Sequence, residues 1–320
     1  MLKMPLLDKA AHTILGTCMG LKEKERFLVV YDKNKKKIAD ILLRKARKIC
    51  RKADKVKIGV GKINGEEPPK KIAEMMKKYN VVVIATTKSL SHTNARRNAS
   101  KNGVRIASMP GVTEDMMRRT LVVDYNKIKR ISEKVYNLLN NKKRVRLVTK
   151  NGTDVVVYVN RLVKDVGIYD KKGDFGNLPA GEVGFAPVEG KTNGVVVIDK
   201  TMAGIGKLRD RVRMRVKEGF VKKIYGGSEA AKLERLLKKL NNKNVYNIAE
   251  FSIGTNYKAK ITGVTLEDEK VYGTVHMALG DNTSYPGGTI KAPTHLDGVI
   301  SKPTVFVDEK KIMEKGKLIL

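Results

Sequence analysis

The chain has 320 residues, 41% of them apolar, enough for two domains with sizeable cores. No apolar run approaches the roughly 18 residues of a membrane helix, and Met1-Leu-Lys-Met-Pro-Leu-Leu-Asp8 lacks the long apolar stretch and cleavage site of a secretory leader, so a cytoplasmic protein without a membrane partner is expected. Lysine and arginine number 66 against 33 aspartates and glutamates, a formal net charge of +33 that attracts polyanions without sequence preference, while 5% aromatic residues and no tryptophan argue against a stacking platform for single strands.

The first 145 residues alternate strand and helix patterns. Arg26-Phe-Leu-Val-Val-Tyr31 is a short apolar run of the kind a buried strand shows, and Ile38, Ile41, Leu42, Ala46 and Ile49 then recur on one helical face. Lys55–Val60 reads as the next strand, Glu67-Pro-Pro as the start of a helix carrying Ile72, Met75 and Met76, and Asn80–Ala85 as the clearest buried strand. A helix over Arg96–Lys101 ends at Gly103, a strand follows at Val104–Ala107, and a last helix spans Tyr125–Leu139. Repeated strand–helix units predict a doubly wound parallel sheet covered on both faces, over residues 1–145. Gly59-x-Gly61 lacks the third glycine of a dinucleotide fingerprint and is read as a turn. His92 lies after a strand end, where open α/β sheets place ligands, but a capping or surface role suits it better. Cys18 and Cys50 form no Cys-x-x-Cys pair and read as buried thiols.

The second half changes character. Val145–Val163 alternates apolar and polar residues around Asn151-Gly152, a hairpin signal. Strands are predicted at Asn193–Ile198, Leu208–Val216, Lys270–Met277 and Pro303–Val307. One helix interrupts, with Ser228 as N-cap and Ala230, Leu233, Leu236, Leu237 and Leu240 as its apolar stripe. Residues 146–320 are therefore a β-rich α+β domain, and the boundary is expected in the charged stretch near 140–150.

This second domain carries six potential metal ligands in glycine-rich or turn-rich settings: Glu182, Glu250, His276, Tyr285, His295 and Asp297. Imidazole plus carboxylate suits zinc, cobalt or manganese, and a set this large can hold two divalent ions. Each residue alone also has a structural explanation. Glu182 fits a turn cap, His276 a satisfied core histidine, and His295 with Asp297 a hydrogen-bonded turn. No His-Glu-x-x-His motif is present.

Asn177-Leu-Pro-Ala-Gly-Glu-Val183, Ala186–Asp199, Glu250-Phe-Ser-Ile-Gly-Thr-Asn256, Gly273-Thr-Val-His-Met-Ala-Leu-Gly280 and His295-Leu-Asp297 resemble the thermophilic aminopeptidase family of metallopeptidases, peptidase family M29, which includes aminopeptidases T and S. The resemblance covers residues 175–300. The family's ligand order is Glu, Glu, His, Tyr, His, Asp, matched here by Glu182, Glu250, His276, Tyr285, His295 and Asp297. The chain departs from the family in its shorter length, its trimmed Tyr285–His295 interval and its Phe251-Ser252, where the family has Leu-Gly. The resemblance implies a dimeric aminopeptidase that removes N-terminal residues from peptide substrates with two divalent ions (zinc, cobalt, manganese or magnesium). Glu250 would then be the proton-shuttling carboxylate and Tyr285 a ligand or oxyanion donor. Two other readings remain open: a basic nucleic-acid- or ribosome-associated binding protein, and a family member that keeps the metal without peptidase activity.

Overall fold

The computed structural model describes residues 5–319, arranged as two compact units. The first comprises the chain up to Tyr125 together with Asp165–Ala180; the second comprises Asn126–Lys164 and Gly181 onward.

The first unit is built on a five-stranded sheet, ordered Lys52–Lys57, Arg26–Tyr31, Val81–Ala85, Arg105–Ser108 and Phe175–Asn177. All four pairings are parallel. Val81–Ala85 is buried along its whole length, as a parallel strand covered on both faces must be. Thr93 starts the helix Asn94–Lys101 by accepting a hydrogen bond from the Arg96 N–H at 3.2 Å. Cys18 and Cys50 are free, buried thiols.

The division does not fall at 140–150. Val135 and Leu139, on the helix Tyr125–Leu139, pack into the apolar core of the second unit. The segment Asp165–Ala180 then returns to the first unit, where Phe175–Asn177 pairs with Arg105–Ser108 and completes the parallel sheet. A three-residue strand has too little period to be read from sequence.

The second unit holds two antiparallel arrays. One has eight strands and includes the predicted hairpin, Arg144–Val148 against Asp154–Tyr158, with Gly152 at φ +100° in its turn. The other has seven strands, with Thr201–Met202, His295–Ile300, Val275–Gly280, Ile248–Gly254 and Glu182–Phe185 side by side in that order. A single apolar cluster joins the inner faces of both arrays: Val145, Val155 and Val196 from one, Val183, Phe251, Val275 and Met277 from the other. The helix Ser228–Lys239 adds Leu233 and Leu237; its N-cap is Gly227, not Ser228. No described helix is long and apolar enough to cross a membrane.

Candidate metal centre

Strand alternation explains how the site forms. Along Ile248–Gly254 the odd positions Phe251 and Ile253 enter the apolar core, so Glu250 and Ser252 emerge on the opposite face. Register carries that face across the sheet. Ser252 lies opposite His276, Glu250 and Asp297 both lie opposite Ala278, His295 opposite Gly280, and Glu182 opposite Gly254. Their neighbours Val183, Val275, Met277, Leu279 and Leu296 belong to the core. Four adjacent strands thus place two imidazoles and three carboxylates on one face, separated by small residues. Gly184 shows how little room remains: a Cβ there would stand 1.6 Å from Ser252 Oγ.

Glu250 is the centre of the cluster. Its Oε1 is 2.9 Å from His276 Nε2, and its Oε2 is 3.0 Å from His295 Nε2. Ser252 Oγ donates to Oε1 at 2.5 Å. His295 Nε2 is also 3.1 Å from Asp297 Oδ1, and His276 Nε2 is 3.4 Å from Glu182 Oε2. Tyr285 arrives from the loop after Val275–Gly280, and its hydroxyl lies close enough to Glu250, Glu182 and Asp297 to feel their charge. That loop is folded around Glu189, which accepts from Asn282 Nδ2, the Thr289 N–H and hydroxyl, and the Ile290 N–H, at 2.7–3.2 Å. All six residues predicted from sequence therefore meet in one place.

Burial sets the electrostatics. It opposes every charge here, but opposite charges at contact distance overcome it. Desolvation works against the Glu250 carboxylate, yet His276 and His295 hold it well below the usual range. Desolvation likewise disfavours the His276 cation, but Glu250 and Glu182 raise its pKa to about 9. Against the same penalty, Asp297 and Glu250 raise His295 well above the ordinary histidine value. Burial, reinforced by Glu250 and Glu182, keeps the Tyr285 hydroxyl protonated far above its usual range.

The donor set fits a divalent cation. The ligand atoms fall into two overlapping groups that share Glu250: Glu182, Glu250 and His276, and Glu250, His295 and Asp297. His295 Nδ1 lies 2.7 Å from the Asp281 carbonyl; donation to that oxygen leaves the Nε2 lone pair for a metal. A core histidine kept for structure would have both nitrogens satisfied. His276 Nδ1 is buried with no hydrogen-bond partner among the described residues, while its Nε2 faces Glu250 and Glu182.

Sequence reasoning missed two neighbours, Glu269 and Lys270. Lys270 is 1% exposed, with Nζ 2.6 Å from Glu182 Oε2 and 2.9 Å from Glu269 Oε1. Burial, against the pull of Lys270, raises the Glu269 carboxyl to about 8. Among 66 basic residues nothing in composition singles out one lysine; its signal was its place six residues before His276, at the start of the predicted strand Lys270–Met277.

The cluster is a candidate metal site, carried on a mixed α/β fold shared with a solved aminopeptidase. AmpT from Thermus thermophilus, an M29 aminopeptidase, superposes with a TM-score of 0.73 at 15% identity, covering 98% of this chain and 99% of that one. The family is a different one. The model of NicX, 2,5-dihydroxypyridine 5,6-dioxygenase, matches residues 31–320, and the chain belongs to that family. The 2,5-dihydroxypyridine 5,6-dioxygenase of Pseudomonas putida KT2440 is 25% identical, covering 74% of this chain and 71% of that protein. A solved 2,5-dihydroxypyridine dioxygenase from the same strain superposes with a TM-score of 0.85 at 20% identity, covering 98% of this chain and 96% of that one.

These findings correct the expected activity. The chain is not placed among aminopeptidases, and hydrolase, protease and peptide-bond chemistry through Glu250 and Tyr285 are withdrawn. The physical reason is that a ligand set specifies a cation and not its use. The same carboxylates and imidazoles suit a metal that activates water and one that activates dioxygen. Of the M29 resemblance, the fold relationship stands.

Proposed function

We propose that the chain is a metal-dependent dioxygenase that opens the ring of a dihydroxylated pyridine, with 2,5-dihydroxypyridine as the first substrate to test. The observation that carries this reading is the convergence of His276 and His295 on Glu250, beside Asp297, in a chain of the dioxygenase family.

Two histidines and one carboxylate, with coordination positions left open, are the donor set of non-haem iron(II) oxygenases. Iron(II) therefore replaces zinc and cobalt as the preferred ion, with His276, His295 and one of Glu250 and Asp297 as its ligands. When bound, the ion supplies the one-electron chemistry that lets dioxygen react with a closed-shell ring. In the overall reaction the bond between ring carbons 5 and 6 and the O–O bond would break, each of the two carbons would take one oxygen atom, and no other reductant would be consumed.

The chain's own residues orient and protect this chemistry. Asp281 fixes the His295 ring through Nδ1. Ser252 holds Glu250 Oε1. Tyr285, which keeps its proton, is a hydrogen-bond donor available to a substrate oxygen. Glu250 is ionised and held well below the usual carboxylate range, which suits it to bind a cation rather than to accept a proton.

The test is to load the protein with iron(II) without air, then add 2,5-dihydroxypyridine and dioxygen. Equimolar loss of dioxygen and ring absorbance is expected, with no release of amino acids from aminoacyl substrates. Folded, iron-loaded protein that consumes neither would overturn the proposal.

A further inference from the structure

Lysine is seldom buried whole, because its ammonium must leave water, and it stays buried only with charged partners. Lys270 is such a residue. It follows the short helix Thr265–Asp268, in the segment leading to the strand that carries His276. Its backbone is pinned on both sides: its N–H donates to the Glu267 carbonyl at 3.0 Å, and its carbonyl accepts from the Asn256 N–H at 2.8 Å. The side chain so anchored delivers Nζ to Glu182 and Glu269.

The two ligand groups sharing Glu250 have the layout of a two-ion site with a bridging carboxylate. Lys270 makes the two groups unequal. Its ammonium is in contact with the one that contains Glu182, and the oxygen it holds is the one that faces His276 Nε2. A metal ion on Glu182 would stand beside the buried Lys270 ammonium, where repulsion between cations is screened less than at the surface.

We propose that the Lys270 ammonium takes the place of a second metal ion: it holds Glu182 as its own counter-ion and limits the site to one divalent ion per chain. This rests on the one-ion reading above. Lys270 is a positioning residue that acts through Glu182.

The experiment is metal stoichiometry on the full chain, stripped and reloaded with cobalt(II), read by elemental analysis and by visible cobalt absorption per chain. Wild type should hold one ion. Lys270→Met, which removes the charge, and Lys270→Ala, which also opens space, should approach two. Should both variants fail to fold, as judged by circular dichroism, Glu182→Gln keeps the idea testable: it should still hold one ion, whereas a site using Glu182 as ligand loses metal. Two ions in wild type, or one ion in wild type and in both folded Lys270 variants, overturns the inference alone. Folded wild type that binds no ion overturns it together with the metal reading. Failure of ring cleavage with the stoichiometry as expected overturns only the substrate.

Discussion

The Glu250 carboxylate and the His276 imidazole meet at 2.9 Å from neighbouring antiparallel strands, two residues out of direct register and so on the same face. That contact, repeated on the other carboxylate oxygen by His295, makes Glu250 common to both ligand groups. Removing its charge should therefore harm metal binding more than removing a peripheral group. Glu250→Gln is expected to weaken iron(II) or cobalt(II) affinity by more than about 100-fold, above the range seen for residues that only support a ligand. Ser252→Ala, which deletes a hydrogen bond to Glu250, should cost about 10-fold. Competition with a chelator of known affinity measures both; equal, small losses would remove Glu250 from the centre.

Metal uptake should depend on pH with a defined sign. Buried His276 holds its proton up to about pH 9, and His295 also titrates above the ordinary range. A metal takes only the neutral imidazole, so binding must release those protons. Affinity should rise as pH increases toward about 9 and fall on the acid side. The raised values also stabilise the ion-free fold below the unfolded histidine pKa, a contribution lost as pH climbs through the folded values. Calorimetry in buffers of different ionisation enthalpy reads proton release directly. An affinity that stays flat from neutral pH to about 9 contradicts this assignment.

Glu189 governs the loop that delivers Tyr285. Although burial opposes its charge, hydrogen bonds from Thr289, Asn282 and Ile290 hold its carboxyl below the usual range. A carboxyl lowered in the fold stabilises it above the unfolded pKa, and the benefit disappears as pH falls through the folded value. Glu189→Ala is expected to leave metal content intact and to lower kcat/KM by roughly 10-fold or more, since small displacements of positioning groups are costly. Loss of metal instead would show that the loop supports the ligands themselves.

Phe251 faces the core directly behind the site and packs on Phe185 with ring centroids 5.5 Å apart. Phe251→Ala should destabilise the fold by about 3–5 kcal/mol. Because Glu250 and Ser252 flank it on the same strand, metal affinity should fall with stability. Urea unfolding and metal titration on the same variant check the two together; a full loss of stability with unchanged affinity would separate the faces of this sheet.

Much of the architecture was legible because it follows local periodicity. The apolar runs at Arg26–Tyr31 and Val81–Ala85 became central parallel strands, and the Asn151-Gly152 turn joined the expected hairpin. The ligand-type residues were visible as residue types, and the alternation His276-Met-Ala-Leu-Gly280 already separated a polar face from an apolar one. Three things depended on contacts between distant segments. The return of Asp165–Ala180 to the first unit is a pairing decision made by Arg105–Ser108. The convergence on Glu250 needed the register of four strands, which no single segment contains. The pairing of Lys270 with Glu182 joins residues 88 positions apart in a buried place, and there one lysine among many becomes part of the candidate site. Sequence determined which donors exist, because donor chemistry belongs to single side chains. Tertiary structure decided which of them come within reach of one another, because that depends on distance and desolvation.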